Sequence, residues 1–197
     1  MAHLRYLDLR SNRIEDPAPL AGAPSLERLF LQGNGLRDIT NLRPLLKLEV
    51  LTLDDNQIAD LGPALDFPKL KTISAQRNPL RCETLQVHAP TLKARDISVR
   101  VGTTCIASVA PASAAPSGTL TLTVQGQGFE STASLALRDA QGNYHDASAT
   151  TVKSADTIEA SIALEGLPPG PCDLFVYNRP DRTNHWGGAL GVFNITP

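Results

Sequence analysis

The residues of this 197-residue chain whose types could do chemistry are three cysteines, two adjacent aspartates, a Gly-x-Gly and a loop holding a histidine and the one tryptophan. Cys82, Cys105 and Cys172 are an odd set, so under oxidising conditions at least one is free or pairs outside the chain. A bridge between Cys82 and Cys105 would clip the end of the first half to the start of the second. Such a bridge contributes about 2–4 kcal/mol; three buried thiols are the other reading. No C-x-x-C occurs and His88 is the only histidine near those two cysteines, so no metal site is expected.

Acid–base and phosphate chemistry fare no better. Asp54 and Asp55 are neighbours in an extended segment, where successive side chains diverge instead of converging on a substrate. Gly126 and Gly128 lack the third glycine and the following helix that a dinucleotide site needs. Asp181 and His185 have no serine at a spacing that makes a triad. The expectation is therefore no enzyme and no cofactor. The loop NRPDRTNHWGG (178–188) reads either as an exposed ligand-contacting tip or as a segment that folds Trp186 over a sheet edge.

Four asparagines carry the strongest signal. Asn12, Asn34, Asn56 and Asn78 recur at one constant interval within the frames LRYLDLRSNRI (4–14), LERLFLQGNGL (26–36), LEVLTLDDNQI (48–58) and LKTISAQRNPL (70–80). Each frame supplies the L-x-x-L-x-L-x-x-N-x-L pattern of a leucine-rich repeat. Leu7/Leu9, Leu29/Leu31, Leu51/Leu53 and Ile73/Ala75 alternate with polar or variable residues, which predicts one short strand per coil and a parallel sheet. An asparagine side chain both donates and accepts, so it can satisfy backbone groups where the chain leaves each strand; a stacked structural ladder follows. Asp16, Asp38 and Asp60 recur in the same phase, and the prolines of the return segments disfavour long helices. Short 3₁₀ turns capped by aspartate are expected there.

A fifth frame, APTLKARDISVRVG, aligns Leu92 with Leu70 and Ile97 with Ala75, with Arg95 and Arg100 in the places of a leucine and the asparagine. A terminal repeat meets a different neighbour, so atypical residues fit a cap or joint. At the other end Leu4 opens a repeat directly after Met-Ala-His. That leaves a bare edge, and the expectation is a piece lacking upstream repeats, or a second copy or partner covering the edge.

The strand residues pointing out of the sheet are the repeat positions that packing does not dictate. Tyr6, Arg28, Val50 and Thr72 form one row and Asp8, Phe30, Thr52 and Ser74 the next; Arg10, Gln32, Asp54 and Gln76 form a third, flanked by Asp55 and Arg77. Aromatic residues ringed by charge are what a binding hot spot requires. Scattered apolar residues on a tolerated surface are the plainer explanation.

From about Cys105 the period disappears. CIASVAPASAAPSG leads into LTLTVQGQGF, and further strand-like stretches follow at 133–139, 157–164, 172–178 and 188–195 with turn-rich segments between them. The expected division is a repeat domain over 1–104 and an all-β immunoglobulin-like sandwich over 105–197. IASVAPASAAPSGTLTLTVQGQGF, LPPGPCDLFVYNRPD and GVFNI resemble the immunoglobulin-like fold called IPT or TIG. That resemblance implies a turn at Gly126 and Gly128, a core Phe129, and Phe175 and Tyr177 on a late strand, with Cys172 departing from the usual residue type. The first half is similar to the 22-residue repeats of internalin-type surface proteins and of cytosolic phosphatase regulators. The order of domains, shared with internalin-like proteins, implies a secreted or cell-surface adhesion module, although such repeats occur in the cytoplasm too.

The charge balance is 14 basic against 12 acidic residues through Cys105, then 4 against 8, which supports no nucleic-acid partner. No apolar run is long enough to span a bilayer. The functional expectation is a module that binds a protein of unknown identity through the concave repeat face, the second domain acting as spacer or second contact. The alternative is a structural spacer segment of a larger surface or assembly protein.

Overall fold

The computed structural model describes residues 3–179 and 186–197. The chain divides into two compact units, residues 1–102 and 103–197.

The first unit is a leucine-rich repeat solenoid. Its strands are β1 (Tyr6–Asp8), β2 (Arg28–Phe30), β3 (Val50–Thr52), β4 (Thr72–Ala75) and β5 (Ser98–Val101), in the order β1-β2-β3-β4-β5. All pairings are parallel, and the register runs Leu7↔Leu29↔Leu51↔Ile73, so the period of the sequence is the period of the sheet. Leu26, Leu29, Leu31, Leu48, Leu51 and Leu53 are completely buried in one continuous core. Each such side chain contributes on the order of 2 kcal/mol by leaving water. In the first coil Leu4, Leu7, Leu9 and Ile14 are only partly buried.

Each asparagine joins neighbouring coils. Asn56 Nδ2 donates to the carbonyls of Leu31 (3.0 Å) and Leu53 (2.9 Å), and its Oδ1 accepts the amide of Leu36 (3.0 Å). Asn34 makes the same bonds to Leu9, Leu31 and Ile14, and Asn78 bonds Leu53 and Ile58. Asn12 is the exception and bonds only the nearby carbonyls of Leu9 and Arg10. The residue before each asparagine has positive φ: Ser11 55°, Gly33 68°, Asp55 56° and Arg77 53°. The turn out of every strand thus passes through the left-handed region, which glycine enters at least cost.

The return segments form 3₁₀ turns at Ala18–Gly22, Thr40–Leu42 and Gly62–Asp66. Asp16, Asp38 and Asp60 accept the amides of Ala18, Thr40 and Gly62, the first residue of each turn, at 2.8, 2.9 and 2.7 Å. The fourth return differs. It is a π-helical turn at Thr84–His88 running into α1 (Ala89–Lys93).

That helix corrects the alignment of the fifth frame. Ile73 pairs with Val99 and Ala75 with Val101, not with Arg95 and Ile97 as an unbroken period requires. The helical return takes up the difference, so Val99 and Val101 hold the places assigned to Arg95 and Ile97. Ile97 and Leu92 are still core residues. Arg95 is no displaced leucine: its guanidinium donates to the carbonyls of Leu65 (2.7 Å) and Phe67 (2.8 Å) in the coil before.

The second unit is an antiparallel all-β domain of immunoglobulin-like type. Its strands are β6 (Cys105–Ala110), β7 (Ser113–Ala114), β8 (Thr119–Gln127), β9 (Ser134–Arg138), β10 (Tyr144–Asp146), β11 (Ala149–Ser154), β12 (Thr157–Ala163), β13 (Gly170–Tyr177) and β14 (Trp186–Ile195). One sheet runs β10-β9-β13-β14-β7 and the other β11-β12-β8-β6. Leu122, Val124, Leu135, Leu137, Ile158, Ile162, Leu174, Val176 and Phe193 fill the core. Phe129 is buried. Gly126 is not part of a turn, as expected from the sequence, but a strand residue of β8: a Cβ there would sit 2.1 Å from the Cys105 carbonyl oxygen. The turn falls on Gly128, with φ 75°.

Asn178, completely buried, binds this unit's loops together. Its Nδ2 donates to Thr104 Oγ1 (2.9 Å) and the Gly128 carbonyl (2.6 Å), and its Oδ1 accepts the amide of Glu130 (3.0 Å). The hydroxyl of Thr132 donates to the Asn178 carbonyl at 2.7 Å.

Candidate binding face

The parallel register that stacks the leucines inward sets the alternate residues in rows on the other side of the sheet. Tyr6, Arg28, Val50 and Thr72 stand in line across four strands, continued by Ser98; Asp8, Phe30, Thr52 and Ser74 make the next line, continued by Arg100. Tyr6 is 52% exposed, Arg28 is exposed, and Phe30, Val50, Thr52 and Thr72 are half-buried.

The N-terminal end of this face is aromatic. The rings of Tyr6 and Phe30 lie 5.2 Å apart at 42°, and the Arg10 guanidinium sits 5.8 Å from the centre of the Phe30 ring. Arg10 Nε also donates to both oxygens of Asp8, at 2.9 and 3.0 Å. This contact holds the Asp8 carboxyl below its ordinary range and the Arg10 guanidinium above its own. Asp8 is thereby committed to its own coil and is not an open acceptor.

The C-terminal end is polar and internally bonded. Asp54 Oδ1 accepts the Ser74 hydroxyl (2.6 Å) and the Gln76 amide (2.7 Å), and Asp55 pairs with Arg77. Ser74 is buried, so its hydroxyl holds Asp54 in place and does not meet solvent. Along one border, residues of adjacent coils pair as Arg5–Glu27 (3.6 Å) and Lys71–Glu49 (2.8 Å). Lys71 keeps the Glu49 carboxyl below its usual range. Gln32 Oε1 and Thr52 Oγ1, between the two ends, are shielded from solvent and have no hydrogen-bond partner. A shallow depression of about 300 Å³ lies off the sheet, lined by Asn12, Arg13, Glu15, Gly33, Asn34 and Gly35.

A second aromatic group stands on the outward side of the second unit. Phe175 is flanked by Tyr144 (5.6 Å), Tyr177 (6.3 Å) and Trp186 (5.6 Å), with the Arg138 guanidinium 5.3 Å from its ring centre. Burial disfavours the charge on Arg138, and the hydrogen-bonded carboxylate of Asp173 outweighs that effect. Sequence reading missed this cluster. Its signal was the alternation Asp173, Phe175, Tyr177 against the core residues Cys172, Leu174 and Val176 on one strand. Asp181 and His185 lie outside the described residues.

Nearby, Asp139 is buried in the turn between β9 and β10. Burial raises its pKa, but hydrogen bonds from the His145 ring, the Asn143 side chain and the amides of Asn143 and Gln141 prevail and bring it to about 2. This arrangement braces a hairpin. Cys82 and Cys105 are disulfide-bonded. Cys172 is free and buried, and burial pushes its thiol pKa up, which makes it an inert core residue. Among the described residues no group of three or more His, Cys, Asp or Glu side chains is arranged to hold a metal ion, and no helix is long and apolar enough to cross a membrane.

Residues 2–44 match the family described as leucine-rich repeats in two copies. Among curated proteins none matches the chain. Three solved structures from Listeria monocytogenes are similar to it in outline. InlP is 20% identical over 98% of this chain and 53% of its own, with a TM-score of 0.47. Internalin C2 is 28% identical over 50% of this chain and 44% of its own, with a TM-score of 0.43. InlF is 20% identical over 50% of this chain and 36% of its own, with a TM-score of 0.40. The chain thus spans about half or less of the length of these structures. From its own sheets and the matched repeats, the chain joins an N-terminal leucine-rich repeat region to a distinct all-β domain.

Proposed function

We propose that the solvent-facing rows of the repeat sheet are a protein-recognition face. Residues Tyr6, Phe30, Arg10, Arg28, Val50 and Thr52, toward its N-terminal end, are the principal contacts, and the all-β domain serves as spacer or second contact. The observation that carries this reading is the tilted Tyr6–Phe30 pair with Arg10 against it, on two adjacent rows that are otherwise largely polar. Aromatic and arginine side chains clustered on a preformed surface dominate the energetics of protein interfaces. The disulfide-bonded cysteines support a secreted or cell-surface setting, because such bonds persist in oxidising compartments. The polar rows around Asp54 and Asp55 supply the wet rim, where contacts add complementarity more than energy.

The test is selection of displayed protein ligands against the full chain, followed by hydrogen exchange of each complex. Ligands that protect residues 6–10, 28–32 and 50–54, and that are lost on Tyr6→Ala with Phe30→Ala at an unchanged unfolding temperature, bear the proposal out. Ligands that protect other segments and ignore both substitutions refute it, and leave the spacer reading in its place.

A further inference from the structure

Charge on the repeat face is almost entirely settled within the chain, with an exception beside the aromatic pair. Asp8 is held by Arg10, Glu27 by Arg5, Glu49 by Lys71 and Asp55 by Arg77. Among the described residues, the cations of the sheet rows that have no ion pair are Arg28 on β2 and Arg100 on β5. Arg100 stands in register with Ser74, away from the aromatic group. Arg28 stands between Tyr6 and Val50 in its row and two residues before Phe30 on the same side of the strand. The neighbouring carboxylates of Glu27 and Glu49 are taken by Arg5 and Lys71, and Arg28 is the least of the charges that lower the Glu49 pKa.

A guanidinium presents N–H donors in a planar fork that fits a carboxylate, and a bond to a charged acceptor is roughly twice as strong as a neutral one. Apolar neighbours strengthen it further, because a partner lying on Tyr6, Phe30 and Val50 excludes water from the pair. Resting on the recognition face proposed above, we infer that the partner is a protein segment bearing an aspartate or glutamate side chain next to a bulky apolar residue. The carboxylate docks on Arg28 and the apolar group on the Tyr6–Phe30–Val50 surface.

The test uses the whole chain and a library of random twelve-residue peptides displayed with blocked C-termini, so that only side-chain carboxylates are available. Peptides that bind should carry Asp or Glu within two positions of Leu, Ile, Phe or Trp. Arg28→Glu should weaken them at least tenfold, and replacing the peptide's acid by Lys should restore binding to that variant. Arg28 is exposed and unpaired, so the unfolding temperature of Arg28→Glu should match that of the parent; Arg28→Ala, which adds no charge, should weaken binding in the same direction. Peptides that lose affinity on Phe30→Ala but are indifferent to Arg28→Glu would overturn the carboxylate inference and spare the face. Peptides indifferent to both, or a library with no binder, would overturn both.

Discussion

Asn56 and Asn178 do the same physical work in two differently built regions. Each is a buried amide that satisfies backbone groups where strands give way to turns. Asn56 does so with partners 3, 20 and 25 residues away, and Asn34 repeats the pattern one coil earlier. Asn178 has no counterpart among the described residues of its unit and reaches partners 48, 50 and 74 residues away. The repeat unit therefore spreads its cohesion over similar junctions between neighbours, whereas the sandwich concentrates it where distant loops meet. Stability in the first is a sum over coils, and one broken junction is a local loss. In the second a single lost contact loosens several segments together.

Asn178→Ala is the sharpest way to break the comparison. It removes three hydrogen bonds at once, leaving the Glu130 amide without its acceptor and the Gly128 carbonyl with only the Thr104 hydroxyl, at a cost of about 3 kcal/mol. Fluorescence of Trp186 in a denaturant titration should show the second unit unfolding earlier, with repeat amides exchanging at their former rate. A uniform loss in both units would end the distinction.

Asn56→Ala should cost about 2 kcal/mol, since Leu36 N–H is left without its acceptor. Asn12→Ala should cost well under about 1 kcal/mol, because Asn12 is exposed and bonds only its own coil. Hydrogen exchange of the amides of Leu31, Leu36 and Leu53 separates the two, and equal effects would contradict a ladder built on contacts between coils.

Acid sharpens the contrast more gently. Asp139 has a folded pKa of about 2 against an ordinary 3.8, so the stability it lends is complete above about pH 4 and is lost as pH falls through about 2. The second unit of Asp139→Asn should lack that component of its acid unfolding curve, read again by Trp186. A curve of unchanged shape would show that the hairpin brace is energetically silent.

The smallest effects lie at the left-handed positions. Gly33→Ala should lose about 1 kcal/mol and Ser11→Gly should gain a few tenths, because only glycine adopts positive φ without steric cost. Thermal unfolding resolves the pair, and effects of the same sign would contradict the conformational account.

How much of this was legible in the sequence follows the same division. The repeat coils were readable through the leucines because each coil reuses one set of contacts, so a period in sequence is a period in space. The fifth coil was visible as a degenerate frame, but its register escaped because its return is helical, and neither Pro90 at the start of α1 nor the frame itself announces a longer coil. In the sandwich, β11 is polar and largely exposed, ATTVKS, and gives little alternation to detect. The rows of the candidate face were placed by register alone. That Asp8 is engaged by Arg10, or that Ser74 is buried beneath Asp54, depends on rotamers and neighbouring coils that spacing does not encode.

The reach of each asparagine sets the unit in which the first half of this chain can be lengthened or shortened. Asn78 donates to Leu53 and accepts from Ile58, residues of the adjoining coil. Excising one whole repeat, from Arg37 through Ile58, would bring Leu31 and Leu36 into those two places, with the same groups facing Asn78. Excising a length that is not a whole number of repeats would set the side chain against the wrong carbonyl. Variation in length by whole coils is therefore nearly free of junction cost, which lets the width of the solvent-facing sheet change without redesign of what lies beneath it.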